Sequence, residues 1–449
     1  MSSQLGIDLA GLARRHRFEL ILPTDARYES SRLLFNRLHD LRPAAIVQTN
    51  DALATADVLR AIQDHGVMVA IRGGGHHIAG FGSCDGGVVL DHSPFRSIMI
   101  DKVANRVGVE PGARLSDLDA GLACHSLVVP TGTVSDTGIA GLSLSGGIGW
   151  LVGKYGLTCD HLEKAEVVLA TGEVVTADAT QHEDLLWALR EGGGNFGVVR
   201  RFWFSLRSLP QCLCGSIVVR GDRIVQVLRG LVEFLETACP PALTVAPVLS
   251  CGEAGGVELS IEFCLADTDY SLDSLRTVAW HGEWRPFYEG YEAWQRHFDA
   301  MYVPPMRGYW KARYTAELQP SDLEALVFSM KSSPVRGTVL IEHLHGAYRT
   351  ESIRTSSFPL RWAHFGILIS ARWRETSHDD AGVAWVRSTF GRIDPAGTSV
   401  TYSNYAASDD NRAMRAFEPG YRKLQAVKAR YDPSNLFRRN HNIDPHASG

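Results

Sequence analysis

Two adjacent histidines lie in the middle of a glycine-rich stretch that runs from Arg72 to Gly80 and contains His76 and His77. Glycine weakens both helices and strands, so a chain that keeps many glycines together needs sharp turns or a close approach of its backbone to another group. The stretch fits two interpretations. The histidines could bind backbone carbonyls within a loop, or one imidazole could lie against a bound group that the bare backbone amides hold.

Glycine clusters recur twice more before residue 200, at residues 130–149 and 192–197. Successive backbone N–H groups in such loops form concave sites for anions, and the missing side chains allow close approach. Together with residues 73–87, these loops predict a long dinucleotide held by backbone amides. Three separate structural turns would leave the same pattern in the sequence.

The third cluster also matches a dinucleotide-binding pattern, because Gly192, Gly194 and Gly197 satisfy G-x-G-x-x-G. That pattern binds a pyrophosphate only when a strand precedes it and a helix follows. Here the helical segment 183–190 comes first and the strand-like segment 198–206 follows. We therefore reject a Rossmann site at this position.

The pattern of elements predicts an α+β protein. Short apolar strands, such as residues 44–48 and 67–71, alternate with helices in the first part of the chain. Beyond residue 207 longer alternating strands follow, of which residues 257–264 are the clearest, with an apolar face and a polar, wet face. The spacing of aromatic residues in the same region predicts one apolar helix face, formed by Phe287, Tyr291, Trp294 and Phe298.

Several motifs occur in a fixed order, namely Arg72-Gly-Gly-Gly-His76, residues 132–162, residues 184–199, Tyr402-x-Asn404 and residues 431–445. They resemble the FAD-linked oxidases, and more narrowly the berberine-bridge-enzyme-like branch of the vanillyl-alcohol-oxidase fold. The resemblance covers about residues 40–206 and 400–445 and is diffuse between them. It implies a PCMH-type FAD-binding domain of small mixed sheets and helices at 1–206. A substrate-binding domain on an antiparallel sheet flanked by helices is inserted at 207–400, and the segment 401–449 returns to the FAD domain.

The resemblance implies FAD bonded covalently to His76, through the 8α-methyl carbon of the flavin. Many relatives add a second link from a cysteine, but Val134 occupies that position here, so we expect none. By the same resemblance, the other expected cofactor-binding residues are Arg72, Gly73, Gly74, Gly75, His77, Gly80, Gly132, Val134, Thr137, Gly138, Gly141, Gly146, Gly147, Asn195, Gly197, Val199, Asn440 and Asn442.

Tyr402 matches a tyrosine that serves several relatives as the base beside the flavin. A free phenol titrates near 10, so this role needs a neighbour that favours the phenolate; a buried tyrosine at a domain seam is the alternative. Glu342 and His343 lie on opposite faces of a predicted strand. Glu342 could act as an auxiliary base and His343 could face the substrate, or both could be ordinary sheet residues. His343 and His345 could share one metal ion, but no third ligand has suitable spacing, so no metal is expected.

Composition limits the remaining function classes. The chain has 449 residues, a formal net charge of -5 and 21% charged residues, which predicts neither a nucleic-acid surface nor a membrane anchor. Its eight scattered cysteines predict reduced thiols in the cytoplasm.

The leading hypothesis is an oxidase that takes hydride from an alcohol or another oxygenated or amine-bearing carbon and passes electrons to O2, giving H2O2. A flavin dehydrogenase with another acceptor and a non-catalytic flavin-binding protein are the alternatives. The aromatic insertion, with Tyr302, Tyr309 and Trp310 as candidates for a substrate roof, favours a bulky metabolite such as a secondary metabolite. The oligomeric state stays open.

Overall fold

The first part of the chain builds two small sheets and a short strand pair. The computed structural model describes residues 5–251, 256–267, 269–287, 290–303, 305–350, 355–418 and 420–446. The first sheet comprises β1 (Glu19–Ile21), β2 (Ala45–Gln48), β3 (Val69–Arg72) and β4 (Val88–Asp91), in the order β1-β2-β4-β3. The second comprises β5 (Ile98–Asp101), β6 (Arg106–Val109), β8 (Leu162–Val168), β9 (Val174–Ala177) and β10 (Val198–Ser205), in the order β5-β6-β10-β8-β9, while β7 (Leu127–Val128) pairs with β11 (Arg207–Ser208).

Short helices connect and cover these sheets. They are α1 (Leu9–His16), α2 (Tyr28–Ser31), α3 (Ala52–Asp64), α4 (Leu115–Ala123), α5 (Ile139–Leu144), α6 (Val152–Tyr155) and α7 (Glu183–Leu189). Helix α3 shows how the sequence sets its ends. Asp51 accepts a hydrogen bond of 2.8 Å from the backbone N–H of Ala54, and Gly66 follows the helix with a φ of +63°. Its face of Val58, Leu59 and Ile62 is fully buried, as the apolar spacing predicts.

The second part of the chain forms one antiparallel sheet of seven strands. These are β12 (Leu213–Arg220), β13 (Leu243–Cys251), β14 (Val257–Leu265), β15 (Glu283–Phe287), β16 (Arg307–Thr315), β17 (Arg336–His343) and β18 (Phe365–Trp373), in the order β15-β12-β14-β13-β17-β18-β16. Helices α8 (Ile224–Thr237), α9 (Asp273–Val278), α11 (Pro320–Met330) and α13 (Asp379–Ile393) pack together with one face of the sheet around an apolar core. The architecture is therefore α+β, with the small sheets and the large sheet in succession.

The opposite face of the large sheet turns toward the first part of the chain. Trp310 and Tyr314 of β16, Leu340 of β17 and Leu368 of β18 pack in one cluster with Tyr402. This face therefore forms one wall of the space in which the predicted site lies.

Two expectations about the second part need correction. Phe287 ends strand β15, and of the predicted helix face only Tyr291 and Trp294 lie on helix α10 (Tyr291–Arg296), while residues 288 and 289 lie outside the described residues. The four aromatic rings still pack together, but Gly290, with a φ of +90°, separates strand from helix. Glu262 of β14 lies on the face that we expect to be wet, yet it is 6% exposed and accepts a hydrogen bond from Ser260.

The last segment of the chain packs back onto the first part. Helices α12 (Ala347–Thr350), α14 (Arg412–Ala416) and α15 (Tyr421–Tyr431) complete the fold, and α15 lies against α7. Lys428 of α15 is fully buried and donates hydrogen bonds to the backbone oxygens of Asn195 and Phe437, at 2.8 and 2.9 Å. Its third bond, of 2.6 Å, goes to the equally buried Asp432. The ammonium group of Lys428 thus joins the third glycine loop to the C-terminal segment, and Asp432 neutralises its charge.

We expect Lys428→Met to lower the free energy of unfolding by about 3–5 kcal/mol, because it leaves the Asp432 carboxylate buried without its cation. Thermal or denaturant unfolding measures this loss. Arg430→Ala is the matched control, since Arg430 lies on the same helix as Lys428 and its side chain, which pairs with Asp184 of α7, is 62% exposed. The control is expected to cost less than about 1 kcal/mol. Equal losses in the two variants would contradict a structural role for the buried pair.

A search of the described helices finds none that is long and apolar enough to cross a membrane.

Candidate active site

A cleft lies between the three glycine loops and the large sheet. Most of the residues predicted to bind the cofactor line it, namely Arg72, Gly73, Gly74, Gly75, His76, His77, Gly132, Val134, Thr137, Gly138, Gly141, Asn195, Gly197, Val199 and Asn440. Tyr402 lines it as well, and so do Tyr302 and Trp310 of the predicted roof. The loops therefore meet at one place, although up to about 120 residues separate them along the chain.

The first two glycine loops touch each other backbone to backbone. A Cβ atom on Gly74 would lie 2.6 Å from the Cα and N atoms of Gly138, and one on Gly138 would lie 2.5 Å from the N atom of Gly74. Any side chain at either position would push the loops apart. Both positions therefore need glycine for a close approach, and the contact brings two rows of backbone amides to the same wall of the cleft.

The third glycine loop is tied to the C-terminal segment by two asparagines. Asn195 donates to the backbone oxygens of Gly192 and His441, and its own side-chain oxygen accepts from the N–H of Ile443 at 3.0 Å. Asn440 donates to the backbone oxygen of Gly194 at 3.1 Å. Asn195 therefore uses its side chain to hold the loop, whereas the Oδ1 atom of Asn440 is buried and has no partner among the described residues.

His76 stacks on Phe35, with ring centroids 3.6 Å apart, at the wall of the cleft. Its Nε2 atom is buried and forms no hydrogen bond within the described part of the chain. Burial, together with the charge of Arg114, lowers the pKa of His76 to about 3, so the ring is neutral at pH 7 and keeps a free lone pair. A buried polar atom without a hydrogen-bond partner destabilises the fold unless a bound group supplies that partner.

Arg72 supports the first loop from behind. It donates from Nε to Asp91 at 2.9 Å, and its Nη2 atom lies 2.8 Å from Oδ2 of the same carboxylate. Both side chains are buried. Burial alone would raise the pKa of Asp91, but the hydrogen bonds and charge of Arg72 outweigh it and hold that pKa below its ordinary value. The guanidinium is thus engaged by Asp91 and fixes the strand end from which the glycines leave.

Four predicted cofactor residues stand outside the cleft wall, namely Gly80, Gly146, Gly147 and Asn442. Gly80 has a φ of +71° and lies against the ring of His39. Gly146 and Gly147 also have positive φ, and the backbone N–H of Gly147 donates a hydrogen bond to Tyr402, which lines the cleft. The buried Oδ1 atom of Asn442 has no hydrogen-bond donor in the described ranges.

The oxygen of Tyr402 receives two hydrogen bonds. The backbone N–H of Gly147 donates at 2.8 Å and the Nδ2 atom of Asn404 at 2.9 Å. Burial and the charge of Glu191 raise the pKa of Tyr402 well above 10, while these two donors act in the opposite direction because they stabilise the phenolate. The arrangement can hold a negative charge on this oxygen.

Glu342 and His343 point in different directions from the end of strand β17. Glu342 is buried and accepts hydrogen bonds of 2.8 Å from Tyr314 and Tyr405, and the second of these tyrosines lines the cleft. Burial raises the pKa of Glu342, although the two tyrosines oppose this. His343 stacks on His345 away from the cleft. Of the two predicted groups, Glu342 reaches the cleft through one hydroxyl and His343 does not line it.

Glu191 is a cleft residue that the sequence analysis missed. It is 2% exposed and has a φ of +121°, a backbone conformation that favours glycine. Ser403 donates to its Oε1 atom at 3.0 Å, whereas Oε2 has no hydrogen-bond partner among the residues that the structure describes. Burial raises the pKa of Glu191 well above its ordinary value, which favours the neutral acid. The signal in the sequence is an acidic residue placed directly before a run of glycines.

None of the eight cysteines, all within the described ranges, lines the cleft. Val134, which the resemblance aligns with the cysteine of a second flavin link, does line it. The site thus offers an imidazole at His76 and no thiol for a cysteinyl bond.

A family model described as an FAD binding domain matches residues 43–178, and one described as berberine and berberine like matches residues 401–444. The chain is also 28% identical to (R)-6-hydroxynicotine oxidase of Paenarthrobacter nicotinovorans over 453 aligned residues, which cover 96% of this chain and 97% of that protein. The chain is an FAD-dependent oxidoreductase with an FAD binding domain and a berberine-like segment. The match to the FAD binding domain covers two of the glycine loops, and the match at residues 401–444 begins beside Tyr402.

Solved structures share the fold of this oxidoreductase. The crystal structure of 6-hydroxy-D-nicotine oxidase from Arthrobacter nicotinovorans superposes with a TM-score of 0.85 at 26% identity, covering 96% of this chain and 98% of that one. Glucooligosaccharide oxidase from Acremonium strictum, which carries a 6-S-cysteinyl, 8α-N1-histidyl FAD, superposes with a TM-score of 0.87 at 20% identity, covering 98% and 99%. The second likeness is one of fold.

The cleft of the oxidoreductase fits FAD. The backbone contact of Gly74 with Gly138 leaves bare amides on one wall, as a diphosphate requires. Buried polar atoms without partners among the described residues, on His76, Asn440 and Asn442, lie at or beside the same cleft. A large ligand with several polar atoms would satisfy them, and FAD is such a ligand.

Proposed function

We propose that this oxidoreductase is an oxidase whose FAD is bonded covalently through His76 alone. The observation that carries the proposal is the buried, neutral imidazole of His76 at the wall of a cleft built from glycine loops. Bound FAD would supply the acceptor for a hydride from a substrate carbon that bears a hydroxyl or amino group. The residues assigned above to the cofactor, including Val199 and Gly197 beneath the third loop, would hold it.

Tyr402 is proposed to take the proton from the hydroxyl or amine of the substrate. Hydride leaves a carbon most easily when a base removes a proton from the adjoining heteroatom. The donors Gly147 and Asn404 stabilise the phenolate form. Glu342 acts through Tyr405, whose hydroxyl donates to it and whose ring packs against that of Tyr402 at 5.1 Å between centroids, and so fixes a ring beside the proposed base.

The wall of the cleft formed by the large sheet is apolar and aromatic. Trp310, Leu340 and Leu368 of the sheet line it, together with Tyr302 and Tyr405, which lie outside the sheet. Apolar and aromatic walls with few polar groups are typical of sites for uncharged small molecules. We therefore propose a bulky, partly aromatic alcohol or amine as the substrate class, and related proteins named as nicotine and oligosaccharide oxidases support small-molecule oxidation in general.

Electrons are proposed to pass to O2 and to give H2O2. Stopped-flow reoxidation of the reduced protein in air tests this, together with peroxide release during turnover. We expect reoxidation much faster than that of free flavin. A rate equal to that of free flavin, with turnover restored by an artificial acceptor, would assign the protein to the dehydrogenases instead.

The eight free thiols favour a reducing compartment, and we propose the cytoplasm. Several of them, including Cys84 and Cys264, are buried in apolar surroundings and act there as small apolar groups. Fractionation of the source cells tests this location.

Glu191 is proposed to bind the ligand of the cleft through its free Oε2 atom. We expect Glu191→Gly to raise the free energy of unfolding by about 1–3 kcal/mol, because glycine adopts a φ of +121° without strain. The same change is expected to lower kcat/KM by roughly tenfold or more, since one hydrogen bond in a buried site is lost.

Glu191→Gln is the matched control, because the amide keeps the size of the side chain and can still donate. It is expected to retain kcat/KM within a few-fold and to leave the backbone strain in place. Thermal unfolding and steady-state kinetics on the three proteins separate the two effects. A glycine variant that is more stable and fully active would show that the Glu191 side chain has no part in ligand binding or catalysis.

A further inference from the structure

Three side chains with soft or borderline ligand atoms converge outside the cleft. Cys239 follows the C-terminal end of α8, whereas His343 ends β17 and His345 follows it. Cys239 precedes His345 by 106 residues, yet one ligand atom from each of the three residues lies within 4.8 Å of the other two. A histidine pair at i and i+2 thus gains the third ligand that its own segment lacks.

The hydrogen bonds of His345 suit a metal ligand. Its Nε2 atom lies 3.9 Å from the Sγ atom of Cys239 and 3.3 Å from the backbone oxygen of Pro240, and its Nδ1 atom lies 3.3 Å from the backbone oxygen of His343. A ligating imidazole usually binds the ion with one nitrogen and donates to a carbonyl or carboxylate with the other. Nε2 therefore lies beside the Cys239 sulfur and would exchange its contact with Pro240 for the ion, while the carbonyl of His343 fixes the ring.

His343 supplies a second, independent observation. The residue is 5% exposed, and its Nδ1 atom is buried without a hydrogen-bond partner among the described residues. Its ring stacks on that of His345 at 4.1 Å between centroids and an angle of 9°, so the rings would have to turn apart for both to bind one ion. A polar atom left unpaired in such a place is costly, and a bound cation would remove that cost.

We propose that Cys239, His343 and His345 bind one Zn²⁺ ion. One thiolate and two imidazoles match the preference of Zn²⁺ for sulfur and nitrogen ligands, and the absence of carboxylates from this cluster argues against Mg²⁺ and Ca²⁺. Bonds of about 2.0–2.3 Å would draw the three ligand atoms closer together than they lie here. The fourth position is left for water, and the partly exposed Cys239 gives the ion a way in.

The ion would fix the place where three elements meet. Gly153 of α6 lies so close to His345 that a Cβ atom on it would be 2.6 Å from the ring carbon Cε1. Glu342, the neighbour of His343, points to the opposite side and binds Tyr405 of the cleft. A metal at this position would hold the end of β17, and with it Glu342, against α6 and the end of α8.

Metal analysis and Co²⁺ loading of the purified holoenzyme test the proposal. We expect one equivalent of zinc after growth with added Zn²⁺. After chelation and addition of Co²⁺, we expect a thiolate-to-cobalt charge-transfer band and ligand-field bands to the red of the flavin absorption. Cys239→Ser is expected to abolish the charge-transfer band, and His343→Ala to weaken Co²⁺ binding at least tenfold.

The chain offers two matched controls. Cys251→Ser changes an exposed thiol on β13 and should leave the cobalt spectrum unchanged. Cys212→Ser tests a separate cluster, in which Cys212, Cys214 and Cys264 also bring their sulfurs together. Wild-type holoenzyme without zinc and without a cobalt signal overturns the proposal, whether or not the variants fold. A cobalt signal lost in Cys212→Ser and kept in Cys239→Ser also overturns it.

Discussion

A His76→Ala variant is expected to lose its flavin on denaturation, whereas acid-precipitated wild-type protein stays yellow. The imidazole is the group at the cleft that the proposal bonds to FAD, and its Nε2 atom has no partner within the described residues. The glycine loops do not depend on this side chain, so the variant should still bind FAD without a covalent bond. Mass spectrometry of the denatured wild-type protein should show a peptide containing His76 that is heavier by one FAD.

His77→Ala is the control for this experiment. Its ring also lines the cleft, but its Nδ1 atom already accepts a hydrogen bond of 3.1 Å from the backbone N–H of Ala79. We expect this variant to keep the covalent flavin. An unmodified His76 peptide in cofactor-replete wild-type protein would disprove the attachment. A covalent flavin that is lost in His77→Ala and kept in His76→Ala would disprove it as well. If wild-type protein retained no flavin at all, the cofactor assignment itself would fail.

The glycine pattern predicts the cleft well because glycine clusters report a local backbone requirement. The contact of Gly74 with Gly138 is a direct expression of it. Rejection of the Rossmann site is also confirmed, since the third cluster forms a short turn at Gly193–Asn195 between α7 and β10. In both cases the need for glycine, or the order of helix and strand, can be read within a few residues of the motif, whereas the partner that Gly74 meets cannot.

Contacts between distant residues could not be predicted in this way. Tyr402 and Gly147 are 255 positions apart, so no local pattern reveals that this N–H stabilises the phenol oxygen. The same holds for Cys239, which lies 3.9 Å from His345 although 106 positions separate them. Glu191 could not be predicted for a different reason, because its importance depends on a backbone φ value that the sequence pattern does not reveal.

The aromatic residues between 287 and 298 show how a spacing can mislead. Their positions match a helix, but Pro286 lies on β15, which is an edge strand of the large sheet where proline is tolerated. The rings nevertheless meet in one cluster with Trp150. Burial of these residues was predictable from their apolar character, whereas their secondary structure depended on Gly290.

Tyr402→Phe is expected to lower the rate of substrate oxidation by roughly 10²–10⁴-fold, the usual contribution of a positioned base. The change removes one oxygen from a residue that is 2% exposed and leaves the ring in its cluster. Anaerobic stopped-flow reduction of the bound flavin by substrate measures this step without interference from O2. Covalent flavin content should be unchanged, because His76 is untouched.

The pH profile separates a base from a packing residue. Burial raises the pKa of Tyr402 above 10, so the protonated phenol predominates at neutral pH, and the rate should rise with pH by up to about tenfold per unit below that pKa. Asn404→Ala removes a donor that stabilises the phenolate, so the pKa rises further and the profile moves to higher pH by about one to two units.

Tyr348→Phe provides the control for a lost buried hydroxyl. Tyr348 is fully buried in the same cluster and donates to the backbone oxygen of Leu360, but it does not line the cleft. Its loss should lower stability and leave the pH profile in place. If Tyr402→Phe reduced the flavin at the wild-type rate with the same pH dependence, the proton would go to another group. Glu191 would then be the next candidate, because its free oxygen shares the cleft with Tyr402.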